Sequence, residues 1–210
     1  MHKEIELISK RNRVLRIIEG DESWIRKEFK VMKRFSAEAG MLKVLKAEGI
    51  RVPKILKVGP DHLLLEDLGD WTLLDWFEKA EEDNLENYEF MIQGIVAFLR
   101  DFYTVSHKVF GEPMVMYDMN FRNFIVREDA LYRVDLEQTC KGSIESDIGK
   151  LLAFATTYHP PGTDWKMKFR DRLFEQLTDA LVLHRETVLE EEMKEYREMN
   201  SRRMKEDIDN

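Results

Sequence analysis

The sequence predicts an α+β fold in which a strand-rich first third gives way to a mainly helical remainder. Three observations carry this. Short alternating or apolar runs, separated by turn residues and by one helical pattern, fill positions 4–66. After Gly69 the apolar residues recur at helical spacing instead. The chain has 210 residues, 43% of them hydrophobic, which is enough for a substantial core in one domain or in two small lobes.

Residues 4–8 alternate polar and apolar, residues 13–18 form a second run, and Gly20-Asp21 makes the turn into a third at 23–29. A helix is expected from about Ser36 to Glu48. Ser36 is its candidate N-cap, Met41, Leu42 and Leu45 are its apolar face, and Gly49 is its stop. Val52-Pro53 is an extended break. Runs at 54–58 and 62–66 read as a hairpin around Gly59-Pro60-Asp61. Thr72 can cap a helix carrying Leu73, Leu74, Trp76 and Phe77, and 83–87 is a polar loop. Residues 88–108 form a long helix with Phe90, Met91, Ile95, Phe98, Leu99 and Phe102 at helical spacing, read as core. Two short runs, Phe124–Arg127 and Leu131–Val134, flank a polar turn at Glu128-Asp129. Residues 147–158 form another apolar helix, ended by Pro160-Pro161-Gly162. From Phe169 onward one long helix or two are expected, and beyond Leu189 charge dominates, which predicts a solvated, frayed tail.

Composition excludes several functions. The net charge of -8 argues against general nucleic-acid binding. Cys140 is the only cysteine, so neither an internal disulfide nor a cysteine zinc cluster is possible. The five histidines, at 2, 62, 107, 159 and 184, show no metal-ligand spacing. No signal-peptide pattern or membrane-length apolar window occurs, and the cytoplasm is the expected location.

The chemistry concentrates in one stretch, MYDMNFRNFIVREDALYRVDLE. Asp118 precedes Asn123 by five residues, and Asp135 follows at the end of an apolar strand. Transfer of a γ-phosphoryl group needs a base to orient the attacking hydroxyl and oxygen ligands to hold Mg²⁺ against nucleotide phosphates. Asp118 fits the base, and Asn123 and Asp135 fit the metal ligands. The hairpin between the last two would bring them together.

This motif, with β-β-β-α-β-β ahead of it and helices around it, resembles the protein-kinase-like superfamily. The closest look is to its compact bacterial and archaeal branches: aminoglycoside and choline phosphotransferases, lipopolysaccharide kinases, and small atypical kinases of the Rio and KEOPS types. The resemblance covers roughly residues 4 to 185. It implies a two-lobed fold, with a nucleotide-clamping lobe at 1–67 and a helical lobe at 68–210, using ATP and Mg²⁺. Trp24-Ile-Arg-Lys27 looks like the V-A-I-K strand, which places Lys27 on the α- and β-phosphates. Glu38 is the best match for its helix glutamate, with Glu28 and Glu48 as alternatives. Glu66-Asp67-Leu68-Gly69 stands at the interlobe hinge, so Glu66 and Leu68 are candidate nucleotide contacts through their backbone. Met116-Tyr-Asp118 replaces H-R-D or H-G-D, with Met116 filling the apolar site of the histidine. Arg122 is a cation within reach of the transferring phosphoryl group. Asp147 resembles the aspartate that supports the catalytic-loop backbone.

The sequence departs from the family in two places. The turn between the first two expected strands, Ser9-Lys-Arg-Asn-Arg13, has no glycine, and Lys10, Arg11 and Arg13 are the candidates to supply charge instead. The stretch from Asp135 to Asp147 is too short for a peptide-binding activation segment. This favours transfer to a hydroxyl of a small molecule, with acidic residues such as Glu137 and Glu145 able to attract a cationic acceptor. The other readings are a nucleotide-binding pseudokinase and an atypical protein Ser/Thr kinase.

Overall fold

The computed structural model describes residues 2–9 and 11–208. They form an α+β structure with a five-stranded antiparallel sheet and, among the described residues, six α-helices. The sheet comprises β1 (His2–Leu7), β2 (Arg13–Glu19), β3 (Glu22–Glu28), β4 (Ile55–Val58) and β5 (His62–Glu66), in the order β1-β2-β3-β5-β4. Gly20 makes the tight β2–β3 turn at φ +63°, a region that L side chains rarely adopt. In register, Lys27 pairs with Val14 on one side and Leu63 on the other, so it lies mid-sheet.

Helix α1 (Met32–Ala47) crosses the sheet and buries Met41, Leu42 and Leu45 as expected. It begins four residues before the expected Ser36, which lies inside the helix and caps nothing. Val31 starts it without a side-chain cap. Packing decides this boundary: the rings of Phe29 and Phe35 meet edge-on at 5.5 Å, and Phe35 donates its N–H to Val31 O. Here an apolar contact outweighs the local preference of serine for a cap.

Beyond Gly69 the chain is helical: α2 (Leu73–Glu82), α3 (Glu89–Phe110), α4 (Ile144–Thr157), α5 (Asp164–Ala180) and α6 (Arg185–Ile208). Thr72 does cap α2, reciprocally with Asp75. Helix α3 buries the expected apolar face except Phe90, which is exposed in its first turn and touches Trp76 edge-on at 5.8 Å. The ring of Phe77 on α2 packs against Phe169 on α5 at 5.0 Å and against Phe121 at 5.2 Å. Phe121 opens a short 3-10 turn, Phe121–Asn123, so the aromatic core holds that turn directly.

The turn leads into β7 (Phe124–Arg127) and β8 (Ala130–Arg133), the hairpin expected from sequence. Glu128 and Asp129 both have positive φ, 51° and 59°, as a two-residue hairpin turn requires. A second small sheet pairs β6 (Met114–Val115) with β9 (Cys140–Lys141). The expected frayed tail is corrected. Helix α6 runs through it and docks on α4, burying Val188, Glu192, Glu195 and Met199. Two of its charges are buried and partnered, Glu192 gripped by Arg170 and Glu195 accepting from Arg202 at 2.6 Å, while Glu190, Lys194 and Arg197 are exposed as expected. Among the described residues no helix is long and apolar enough to cross a membrane.

Candidate active site

Lys27 leaves β3 toward the helical region and is nearly enclosed, with 8% of its side chain exposed. Its Nζ lies 2.5 Å from Glu38 Oε2, 2.9 Å from Asp135 Oδ1 and 3.8 Å from Glu137 Oε2. Two segments, α1 and the stretch after β8, therefore meet the ammonium group that β3 carries. Glu38 takes the place next to Lys27 for which Glu28 and Glu48 were alternatives. Glu28 instead pairs with Arg26 at 3.1 Å, and Glu48 with Lys108 at 2.5 Å.

Burial and charge pairing compete here, with a different winner at each residue. Burial pushes the Glu38 carboxyl up to about 7, against the pull of Lys27. Burial also opposes the charge of Lys27, but Glu38 and Asp135 outweigh it and the pKa of the lysine is raised. Asp135, likewise desolvated, is held below its ordinary value by Lys27, with help from Arg133 and Arg11.

Asp135 follows β8 in a left-handed conformation, φ +60°, and a third of its side chain stays open. Asp118 and Asn123 lie in the segment before β7. The Asp118 carboxylate is half-buried and accepts the N–H of Asn120 at 3.3 Å. The Asn123 amide nitrogen donates to Asp118 O at 3.4 Å, which leaves the amide oxygen turned to other partners. Arg122 is exposed, its guanidinium 5.9 Å from the centre of the Tyr158 ring.

Two buried side chains hold this segment. Asp147 accepts the N–H groups of Met116 at 2.6 Å and Tyr117 at 2.9 Å, and the hydroxyl of Tyr103 at 3.0 Å. Those bonds lower its pKa, but burial is larger and leaves it raised. Tyr117 has φ +67°, a strained position that the double acceptance stabilises. Met116 is wholly buried in the apolar site expected for it. From the other side, Arg133 donates to Asp118 O at 2.6 Å and Asn123 O at 3.1 Å.

Between β5 and α2, Arg16 ties β2 to Asp67 at 2.6 Å and to Asp70. Glu66 donates its N–H to Lys54 O at 2.9 Å, while its carboxylate accepts the N–H of Lys54 at 3.1 Å. The N–H of buried Leu68 has no protein acceptor among the described residues.

The basic turn divides. Lys10 lies outside the described residues. Arg13 is corrected: it faces away, toward Glu6 at 3.5 Å and Glu28 at 3.7 Å, as strand alternation from Asn12 dictates. Arg11 lies 3.9 Å from Glu137. Glu137 is corrected too. Its side chain is 1% exposed and engaged by Asn12 and by Arg34 at 3.1 Å, so it is closed to any cationic acceptor. Glu145 accepts from the Ser143 hydroxyl at 2.5 Å.

Sequence reasoning missed Arg133, Asn12 and the inward role of Glu137. A signal existed for Arg133. Strand alternation puts it on the same face as buried Leu131, where a charge needs a reason. No protein-family model and no curated protein matches the chain.

Proposed function

We propose that this chain is an ATP- and Mg²⁺-dependent phosphotransferase that moves the γ-phosphoryl group to a hydroxyl of a small molecule. In this reading the fold is two-lobed and protein-kinase-like, with residues 1–67 as the nucleotide clamp and 68–210 as the helical lobe. The observation that carries it is the meeting of Lys27, Glu38 and Asp135 within 2.9 Å of one Nζ, beside a segment that presents Asp118 and Asn123.

Each residue has a task. Glu38 holds Lys27, which binds the α- and β-phosphates. The free N–H of Leu68 and the carbonyl of Glu66 are the backbone groups offered to the base. Asp118 orients the acceptor hydroxyl and takes its proton. Arg122 stands at the open side, where it can meet the transferring group. Asn123 and Asp135 offer an amide oxygen and a carboxylate, an all-oxygen donor set suited to a hard divalent ion. Mg²⁺, when bound, neutralises charge on the phosphates.

A small acceptor is favoured by the segment after Asp135. It is pinned as β9 against β6 and enters α4 at Ile144, leaving no platform for a peptide. One observation favours the pseudokinase reading: the turn between β1 and β2, Ser9-Lys-Arg-Asn-Arg13, has no glycine to let backbone amides approach phosphates.

Thermal unfolding with and without Mg·ATP decides between them. Ligand at about a hundred times its Kd adds roughly 2.7 kcal/mol, a rise of about 5–10 °C for a chain of this size. The rise should need Mg²⁺, vanish in Asp135→Ala, and survive in Asp118→Asn while turnover collapses. No rise at millimolar Mg·ATP would overturn the proposal. A rise without phosphoryl transfer to any hydroxyl compound would leave the pseudokinase.

A further inference from the structure

Arg133 is wholly buried, yet among the described residues every hydrogen bond of its guanidinium goes to a backbone carbonyl rather than to a carboxylate. The three carbonyls belong to Asp118 at 2.6 Å, Asn123 at 3.1 Å and Asp135 at 3.4 Å. These are the three residues assigned to base and metal binding. We infer that Arg133 is the positioning residue of the site, a single buried cation that fixes the spacing between the base segment and the metal-ligand segment.

The surroundings argue for this role. Burying a cation without a direct counterion is costly, so a residue that only filled space would be apolar here. The neighbours are already apolar: the guanidinium carbon lies 4.8 Å from the centre of the Phe124 ring. A leucine would pack there and would remove the shortest bond to Asp118 O and one of the two donors to Asn123 O. A guanidinium has five donors in a rigid planar fork, so it can span carbonyls from two segments at once. Its two Nη atoms make all three bonds, while Nε has no partner, so the pose is set by the fork end. The base of the residue is fixed as well. Its N–H donates to Arg51 O at 2.9 Å, beyond α1, and the neighbouring Val134 N–H donates to Asn123 O at 2.9 Å. Arg133 thus references the catalytic segments to the sheet side of the molecule.

This inference rests on the phosphotransferase reading for what is positioned, but not for the positioning itself, and the experiment separates the two. Arg133→Met and Arg133→Lys are compared with the wild type well below their melting temperatures, so that all three are folded. The first readout is hydrogen exchange at the amides of Asp118, Asn123 and Val134, each hydrogen-bonded within the two segments. The second is turnover of Mg·ATP with water as the acceptor. In Arg133→Met those amides should exchange at least about tenfold faster while the β2–β3 amides are unchanged. Turnover should fall about a hundredfold with KM for Mg·ATP within about threefold, the effect of a displacement near 1 Å. Arg133→Lys keeps a cation and should recover part of both. Unchanged exchange in Arg133→Met overturns the inference, whatever the protein does with ATP. So does faster exchange with undiminished turnover. If the wild type binds no Mg·ATP, the functional reading fails, and exchange alone decides whether Arg133 ties the segments.

Discussion

A Cβ on Gly149 would lie 2.6 Å from the backbone nitrogen of Glu192, closer than real Cβ atoms come. Helices α4 and α6 therefore touch backbone to backbone at this point. Gly149→Ala should push α6 outward and cost about 2–3 kcal/mol, a fall of roughly 5–10 °C in Tm. A melting curve checks it, and an unchanged Tm would mean that α6 is not seated as described.

Asp147, two residues earlier on α4, is among the described residues the sole side-chain acceptor for the N–H groups of Met116 and Tyr117. Asp147→Ala leaves both, and the Tyr103 hydroxyl, without a partner in a dry place. The expected cost is about 3–5 kcal/mol, since each orphaned buried group costs about 1–3. Tyr103→Phe removes a single bond and should cost only about 1 kcal/mol. Urea unfolding of the two variants tests the ranking, and the reverse order would contradict it.

Lys27→Met leaves Glu38 and Asp135 without their ammonium group. Glu38→Gln strands less, because the amide still accepts from Lys27. The double variant should therefore be more stable than Lys27→Met, with a coupling of about 1–3 kcal/mol. A double-mutant cycle with zero coupling would show that the 2.5 Å pair is not a working contact.

Stability should also depend on acid through Asp67. Burial opposes its charge, but Arg16 and the N–H of Gly69 outweigh it and hold its pKa below the ordinary 3.8. A depressed carboxylate stabilises the fold fully above its unfolded pKa and loses that contribution as pH falls through the folded value. The Tm gap between wild type and Asp67→Asn should thus be constant above about pH 5 and shrink below 3.8. A gap that widened toward acid would reverse the sign of the argument.

Much of this was legible because local chemistry and global packing agree. Thr72 before an apolar run announced α2, and Glu128-Asp129 between two apolar runs announced the hairpin. Lys27 and Glu38, named through the family resemblance, and Asp135, named through its spacing from Asp118 and Asn123, are brought together. The failures share a cause, which is tertiary burial of groups that look solvated. The start of α1 was set by Phe35 against Phe29, not by serine. The charged run after Leu189 hides a buried seam whose only sign is the sparse series Val188, Glu192, Glu195, Met199 at helical spacing. Glu137 and Arg133 read as ordinary charges until the fold surrounds them.

The cluster around Lys27 balances three carboxylates, Glu38, Asp135 and Glu137, against three cations, Lys27, Arg34 and Arg11. Neutrality at such a spot has a historical consequence. A change at Lys27, Glu38 or Glu137 alters the charge where water hardly reaches, so intermediates through those positions are poor, while Arg11, Arg34 and Asp135 stay partly open. The three enclosed residues should therefore be harder to exchange one at a time than the three partly open ones around them.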